Sequence, residues 1–214
     1  MKTFSLLLVL CSFFFSSFFI EQEQNYVFFL HNRFVETHEL NEPHPQYGIA
    51  EYNKIIKAFK DNGFTVISEK RKADVNVKVY ALKVKKQIDS LLSLGVSANH
   101  ITVIGTSKGG YIAQYVSTYA KNPDLNFVFI ACYNDRDIER FPDINFCGNI
   151  LTIYEKTDPL GVSALKRKET SNCKIKNFKE IELNTGLRHG FQFKALKEWL
   201  EPSMKWAKRN YELN

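Results

Sequence analysis

Ile101-Thr102-Val103-Ile104-Gly105-Thr106-Ser107-Lys108-Gly109-Gly110 is the stretch on which the reading of this chain turns. Four apolar or β-branched residues run into Gly-x-Ser-x-Gly, and a helical pattern with Ile112, Val116 and Tyr119 on one face follows. A serine hydroxyl is a weak nucleophile unless it is held exposed, beside a base and beside hydrogen-bond donors. A sharp strand-to-helix turn holds it so, and small flanking residues let the backbone bend. The helix that follows aims free N–H groups and a positive dipole end at charge developing near the serine. Gly-Thr-Ser-Lys-Gly-Gly lacks the gap and the Gly-Lys-Ser/Thr ending of a phosphate loop, so a nucleotide-binding reading is rejected.

Outward from that turn, apolar runs alternate with helical patterns. Strands are expected at Asn25–Leu30, Phe64–Ser68, Ile101–Ile104, Phe127–Ala131, Ile150–Tyr154 and Phe178–Leu183. Helical faces are expected at Tyr52, Ile55, Ile56 and Phe59, stopped by Asn62-Gly63, and at Val77, Tyr80, Val84, Ile88, Leu91 and Leu92, closed by Gly95. A last helix uses Phe193, Leu196, Trp199 and Leu200, with Pro202 near its end. Short continuous apolar strands separated by helices predict an α/β three-layer sandwich: a mostly parallel sheet of six strands covered by helices on both faces. His31 to Pro45 reads as a polar loop.

The chain has 214 residues, 44% of them hydrophobic, which suits one globular domain over residues 21–214. Residues 1–20 read as a secretory signal peptide: Lys2, then Leu6 to Leu10, then a Phe/Ser-rich stretch ending near Ile20. The mature start falls between Ser17 and Gln24, with an uncleaved anchor as the alternative. Leu10 before Cys11 argues against lipidation. Secretion or periplasmic export is expected, with no stable membrane association once the signal is removed. Export implies an oxidising compartment, where Cys132, Cys147 and Cys173 leave at least one thiol unpaired. A Cys132–Cys147 pair and three independent buried thiols are both open. The net charge of +6 is carried by scattered residues such as Lys83, Lys85, Lys86, Lys166, Arg167 and Lys168, with no arginine stripe or interleaved aromatics. That describes a solvated basic surface rather than a nucleic-acid site.

In a parallel sheet, reactive groups gather where the strands end. The loop after the first strand holds His31-Asn32-Arg33-Phe34, the loop after the fifth holds Thr157-Asp158-Pro159, and Arg188-His189-Gly190 precedes the last helix. His189 can take a proton from Ser107, and Asp158 can orient the imidazole. Asp135, after the fourth strand, is a rival for the acid. His31, Glu36, His38, Glu39, Glu42 and His44 crowd one loop, but their spacing fits no metal motif and they read as a polar rim.

With the order Ser107, Asp158, His189 in place, everything after residue 24 resembles the α/β-hydrolases, and a small, lidless member of them. The resemblance implies a serine esterase with Ser107 as nucleophile, His189 as base and Asp158 as acid, and the N-terminal segment adds export. It makes the Lys108 N–H one oxyanion donor. Where the family commonly has His-Gly after this strand, the chain has His31-Asn32, so the second donor is Arg33 or Phe34. His31, Asn32 and Phe34 would form the substrate rim. No metal and no cofactor are implied, and the partner is a small ester. A peptidase, acyltransferase, lipase or non-catalytic binding protein on the same fold are the alternatives. Arg33 and Lys108 either attract an acidic substrate group or point to water.

Overall fold

The computed structural model describes residues 24–213. The expected signal peptide lies outside the described residues. Strand β1 (Asn25–Leu30) runs into a short helix α1 (Arg33–Thr37) and a hairpin of two-residue strands, β2 (Pro43–His44) and β3 (Gly48–Ile49). Helix α2 (Tyr52–Asp61), strand β4 (Phe64–Ile67) and helix α3 (Val77–Ser93) follow. Strand β5 (Ile101–Thr106) leads into α4 (Lys108–Ala120), then β6 (Asn126–Ile130), a four-residue helix α5 (Asp137–Arg140), β7 (Gly148–Glu155), α6 (Leu165–Thr170) and β8 (Ile175–Leu183). A 3-10 segment at Arg188–Phe193 precedes the last helix, α7 (Lys197–Ala207).

The six long strands form one sheet in the order β4-β1-β5-β6-β7-β8, and every neighbouring pair is parallel. The α/β three-layer arrangement expected from the sequence is therefore present. Side chains alternate across each strand. Val27 and Phe29 pack with α2 and α7 on one face, around Phe59, Trp199 and Trp206. Phe28 and Leu30 pack with α3 and α4 on the other, around Val84, Ile88 and Ile112. Burial on both faces is why these strands read as continuous apolar runs. The chain leaves β1 towards β4 on one side and continues from β5 towards β8 on the other, so the order reverses between β1 and β5. A crevice opens at such a reversal, at the carboxyl ends of the strands.

Several local expectations are corrected. The His31–Pro45 loop contains α1 and half of a hairpin; Asn32 Oδ1 accepts from Val35 N at 3.1 Å and starts the helix. Five residues are too few to show a helical period. Phe193 and Leu196 precede α7 rather than belonging to it, and Pro202 sits inside that helix. Arg167 is not a solvated cation: it is buried and donates to the carbonyls of Ile144, Asp137 and Phe141. No described helix is long and apolar enough to cross a membrane.

The cysteine pairing also differs. Cys147 bonds to Cys173, and Cys132 is a buried free thiol. Cys132 follows the carboxyl end of β6, whereas Cys147 precedes the amino end of β7. These are opposite ends of a parallel pair, separated by about 16 Å of strand rise. Cys173 lies beside the same sheet end as Cys147, just before β8, with a Cα–Cα distance of 5.1 Å. The cross-link closes a loop spanning 26 residues, which chain-entropy arguments value at about 3 kcal/mol. Reduction should lower the thermal midpoint by about 10 °C. An unchanged midpoint, with thiol titration showing both sulfurs free, would mean that the cross-link contributes nothing.

Candidate active site

The turn between β5 and α4 places Ser107 at φ 49°, ψ −117°, a region that side-chain-bearing residues rarely occupy. Its N–H donates to Ile130 O at 2.9 Å, and its carbonyl accepts from Gly110 N at 2.8 Å, so the turn is fixed from both sides. Two glycines have a steric reason. A Cβ on Gly109 would lie 1.9 Å from Leu30 O, and one on Gly105 would lie 2.2 Å from Gly109 O. The first turn of α4 thus lies directly against the end of β1.

His189 sits in the 3-10 segment and is 7% exposed. Its Nε2 is 3.0 Å from Ser107 Oγ, and its Nδ1 is 2.6 Å from Asp158 Oδ2. Asp158 is buried, and its second oxygen accepts from Leu160 N at 2.9 Å. The rival Asp135 is exposed and turned to solvent. Hydroxyl, imidazole and carboxylate therefore form one hydrogen-bonded series. Such a series can take a proton from the hydroxyl and hold the resulting imidazolium.

Sequence reasoning missed the residue that braces the acid and histidine loops. Glu155, fully buried at the end of β7, accepts from the N–H and hydroxyl of both Thr157 and Thr185. Burial pushes its carboxyl up, but these donors outweigh burial and hold it below the ordinary carboxylate value. One side chain thus ties the loop bearing Asp158 to the loop leading to His189.

Across the crevice, His31 is 1% exposed and does not form a rim, contrary to expectation. Its Nε2 accepts from Arg71 N at 2.9 Å, and its Nδ1 lies 2.8 Å from Asn32 O. These partners define a neutral ring that donates through Nδ1. Asn32 is 5% exposed; besides capping α1, it donates through Nδ2 to Gln192 Oε1 at 2.9 Å. Arg33 and Lys108 are the first residues of α1 and α4, where N–H groups have no acceptor inside the helix. Their side chains are engaged: Arg33 with Asp74 at the surface, Lys108 Nζ with Glu36 Oε2 at 2.6 Å. The Lys108 ammonium is therefore not free to attract an acidic substrate. Arg71, which binds Glu36 Oε1 at 2.7 Å, lay hidden in the run Glu69-Lys70-Arg71-Lys72, which reads as a charged surface.

The other polar residues of this loop are engaged locally, with His38 paired to Glu42. His38 stacks on Phe34, and His44 stacks on Tyr47 while accepting from Gln46 N. Among the described residues, no group of His, Cys, Asp and Glu gathers in metal-binding geometry. Two grooves meet at Ser107 and Arg33. One of about 520 Å³ contains His189 and is walled by Phe34, His44, Tyr47 and Phe193. The other, about 550 Å³, runs along Val77, Tyr111, Tyr115 and Phe141. The hydroxyls of Tyr111 and Tyr115 donate to Asp137 and Asp143. Only α5 lies between β6 and β7, and no lid domain stands there.

No family model and no curated protein sequence matches the chain. Solved structures resemble it in fold. A putative alpha/beta hydrolase from Agrobacterium tumefaciens aligns with a TM-score of 0.57 at 18% identity, over 90% of this chain and 88% of that one. An a/b serine hydrolase without lid from Xanthomonas campestris gives 0.56 at 13% identity, over 89% and 84%. A lipase-esterase related protein from Clostridium acetobutylicum gives 0.54 at 16% identity, over 85% and 94%.

Burial, reinforced by the Arg71 charge, pushes the pKa of His31 down to about 3. An unfolded histidine titrates near pH 6.5. Between those values the unfolded chain binds a proton that the folded chain does not, so stability falls as pH falls, by at most about 1.4 kcal/mol per pH unit. Unfolding free energies measured at pH 7 and pH 5 should therefore differ more in the wild type than in His31→Gln. Equal differences would place the titration in another group.

Proposed function

On the α/β-hydrolase fold that this chain has, we propose an exported serine hydrolase that cleaves carboxylic esters. One observation carries the reading: Ser107, His189 and Asp158 are hydrogen bonded in series, at 3.0 and 2.6 Å, on a turn with a strained serine backbone. Export rests on the N-terminal sequence, and the Cys147–Cys173 bond suits an oxidising compartment.

In this mechanism His189 Nε2 takes the Ser107 proton as Oγ attacks the acyl carbon. The carbonyl oxygen becomes an oxyanion and accepts hydrogen bonds from the N–H groups of Lys108 and Arg33. Asp158 stabilises the imidazolium and fixes its orientation. The tetrahedral adduct collapses, His189 protonates the departing alkoxide, and the acyl group stays on Ser107. Water then attacks the acyl carbon and gives its proton to His189. The second collapse releases the acid and returns the proton to Ser107.

The direction of proton transfer divides the two grooves. Since His189 must reach the leaving oxygen, the alcohol part lies in the groove that contains His189, between Phe34, Tyr47 and Phe193. The acyl part takes the groove along Val77, Tyr111 and Phe141. The tyrosine hydroxyls there are already donated to carboxylates, and the lining cations Lys78 and Arg140 are paired with Asp143 and Asp137, so the ring surface that remains suits an apolar acyl group.

A fluorophosphonate should label the wild type at Ser107 and leave Ser107→Ala unlabelled; a well-folded wild type that resists labelling would favour the binding-protein alternative. Asp158→Asn should lower kcat on p-nitrophenyl acetate by about four orders of magnitude, with Asp135→Asn within about twofold of wild type. The reverse pattern would reassign the acid. Phe141→Ala should change the preference among acyl lengths at a fixed alcohol, and Tyr47→Ala the preference among alcohols at a fixed acyl group. An exchange of those two effects would reverse the groove assignment.

A further inference from the structure

We infer that Glu36 is a positioning residue that ties the two halves of the oxyanion hole together, an inference that rests on the serine hydrolase reading above. The two proposed donors sit on different elements. Lys108 N–H opens α4, and Arg33 N–H opens α1. Oxyanion stabilisation requires both N–H groups to converge on one point, each about 2.7–3.1 Å from the developing charge. The seating of α4 is secured by the long helix itself and by the glycine contacts at its start. Helix α1 has only five residues, far below the length at which a helix holds itself. Its position must come from side chains.

Glu36 lies one turn after Arg33 on α1, and its carboxylate is fully buried. Oε2 is 2.6 Å from Lys108 Nζ, and Oε1 is 2.7 Å from Arg71 Nε. Arg71, itself buried, donates onward from Nη2 to His31 O and from its backbone N–H to His31 Nε2. The path runs from α4 through Glu36 to Arg71 and back to His31, the residue that follows β1. It encloses the backbone from His31 to Glu36, which includes the Arg33 donor. The residue that offers one donor through its backbone thus grips, through its side chain, the helix that offers the other.

Burial makes this tie stiff. A carboxylate removed from water is stable only with strong partners on both oxygens, and in that setting the ion pairs are short and directional. Arg71 alone would serve if the pair only supported the fold. Lys108 occupies the second oxygen: its side chain, 15% exposed, lies on the wall of the second groove with its ammonium held by Glu36. Glu36 does not touch substrate in this scheme. It acts through the distance between two N–H groups, an effect felt by the transition state more than by the bound ester.

The decisive variant is Lys108→Met, because it keeps the backbone donor, leaves the Arg71–Glu36 pair intact and removes the tie while keeping a side chain of similar reach on the groove wall. On a p-nitrophenyl ester, kcat should fall about 10- to 100-fold, the scale set by donor misplacement of the order of 1 Å, while KM changes less than about twofold. The inhibition constant of an arylboronic acid, which forms a tetrahedral adduct on serine, should rise in parallel with the loss in kcat. Lys108→Arg, which still reaches Glu36, should recover most of both. Glu36→Gln should move the same way and additionally lower the thermal midpoint, since it leaves Arg71 without its countercharge. The inference is overturned if Lys108→Met keeps kcat within about twofold of wild type, if its loss appears in KM alone, or if Lys108→Arg is as impaired as Lys108→Met. Fluorophosphonate labelling of the wild type separates the two levels. Labelled Ser107 with an unimpaired Lys108→Met removes the positioning role alone, whereas an unlabelled wild type removes the hydrolase reading and this inference with it.

Discussion

At Gly109 two backbones approach so closely that no side-chain carbon fits between them: a Cβ there would stand 1.9 Å from the carbonyl of Leu30 and 2.5 Å from that of His31. This approach sets the geometry of the whole site. It places the start of α4 against the end of β1, so the loops leaving the two central strands begin side by side. Ser107 is forced into a positive φ because the chain must reverse from strand to helix within that space. The strained turn persists because Ile130 O and the α4 helix over-determine it from both sides. The sheet order then does the rest, since β1 and β5 are the strands between which the chain changes direction.

Buried charge, more than apolar packing, defines the rest of the crevice. Glu155 draws two loops together through four donors from two threonines. Glu36 is held by Arg71 and Lys108. His31 stays neutral because burial and the neighbouring guanidinium both oppose its protonation. Each group is costly to bury alone and stable only in its set of partners. On the proposed reading, loops fixed in this way lose little freedom when a substrate arrives. That is the condition under which preorganised donors act without reorganisation at the moment of reaction.

Much of the fold was legible because it follows from local pattern. Apolar runs such as Phe127–Ile130 have one economical reading once helices separate them, and all six long strands lie where those runs stand. Helix α2 could be bounded from the spacing of Ile55 and Phe59 and from Asn62-Gly63. What was not legible depends on which end of the sheet, or which neighbour, a residue meets. The partner of Cys147 is Cys173 because both lie at the amino ends of their strands, a fact that separation along the chain does not encode. Arg71 and Arg167 sit in charge runs that read as solvent-facing, yet both are buried against carbonyls contributed from distant segments. Helix α1 carries no period because it is shorter than two turns. Asp135 and Asp158 both follow strands, and only the resemblance favours Asp158; exposure of one and burial of the other separate them physically.

The position of His189 in the chain explains why two grooves meet at the serine. The residue arrives from beyond β8, on the far side of β6 and β7 from β1, and so covers Ser107 from one direction only. The other direction is left to Tyr111 and Tyr115 on α4 and to Phe141 just after α5. With α5 the one helix between β6 and β7, the second groove is walled by the start of α3, by α4 and by the residues around α5 rather than by a separate domain. Its shape is therefore set in part by the same helix that fixes the serine. On the proposed reading, a change in α4 packing would alter acyl selection and nucleophile geometry together. A change in the β2–β3 hairpin, which carries His44 and the Tyr47 wall packed beside His189, would alter selection of the alcohol and the seating of the base but not the turn at Ser107. The hairpin is thus the part of this fold in which substrate preference can change without disturbing the turn that holds Ser107.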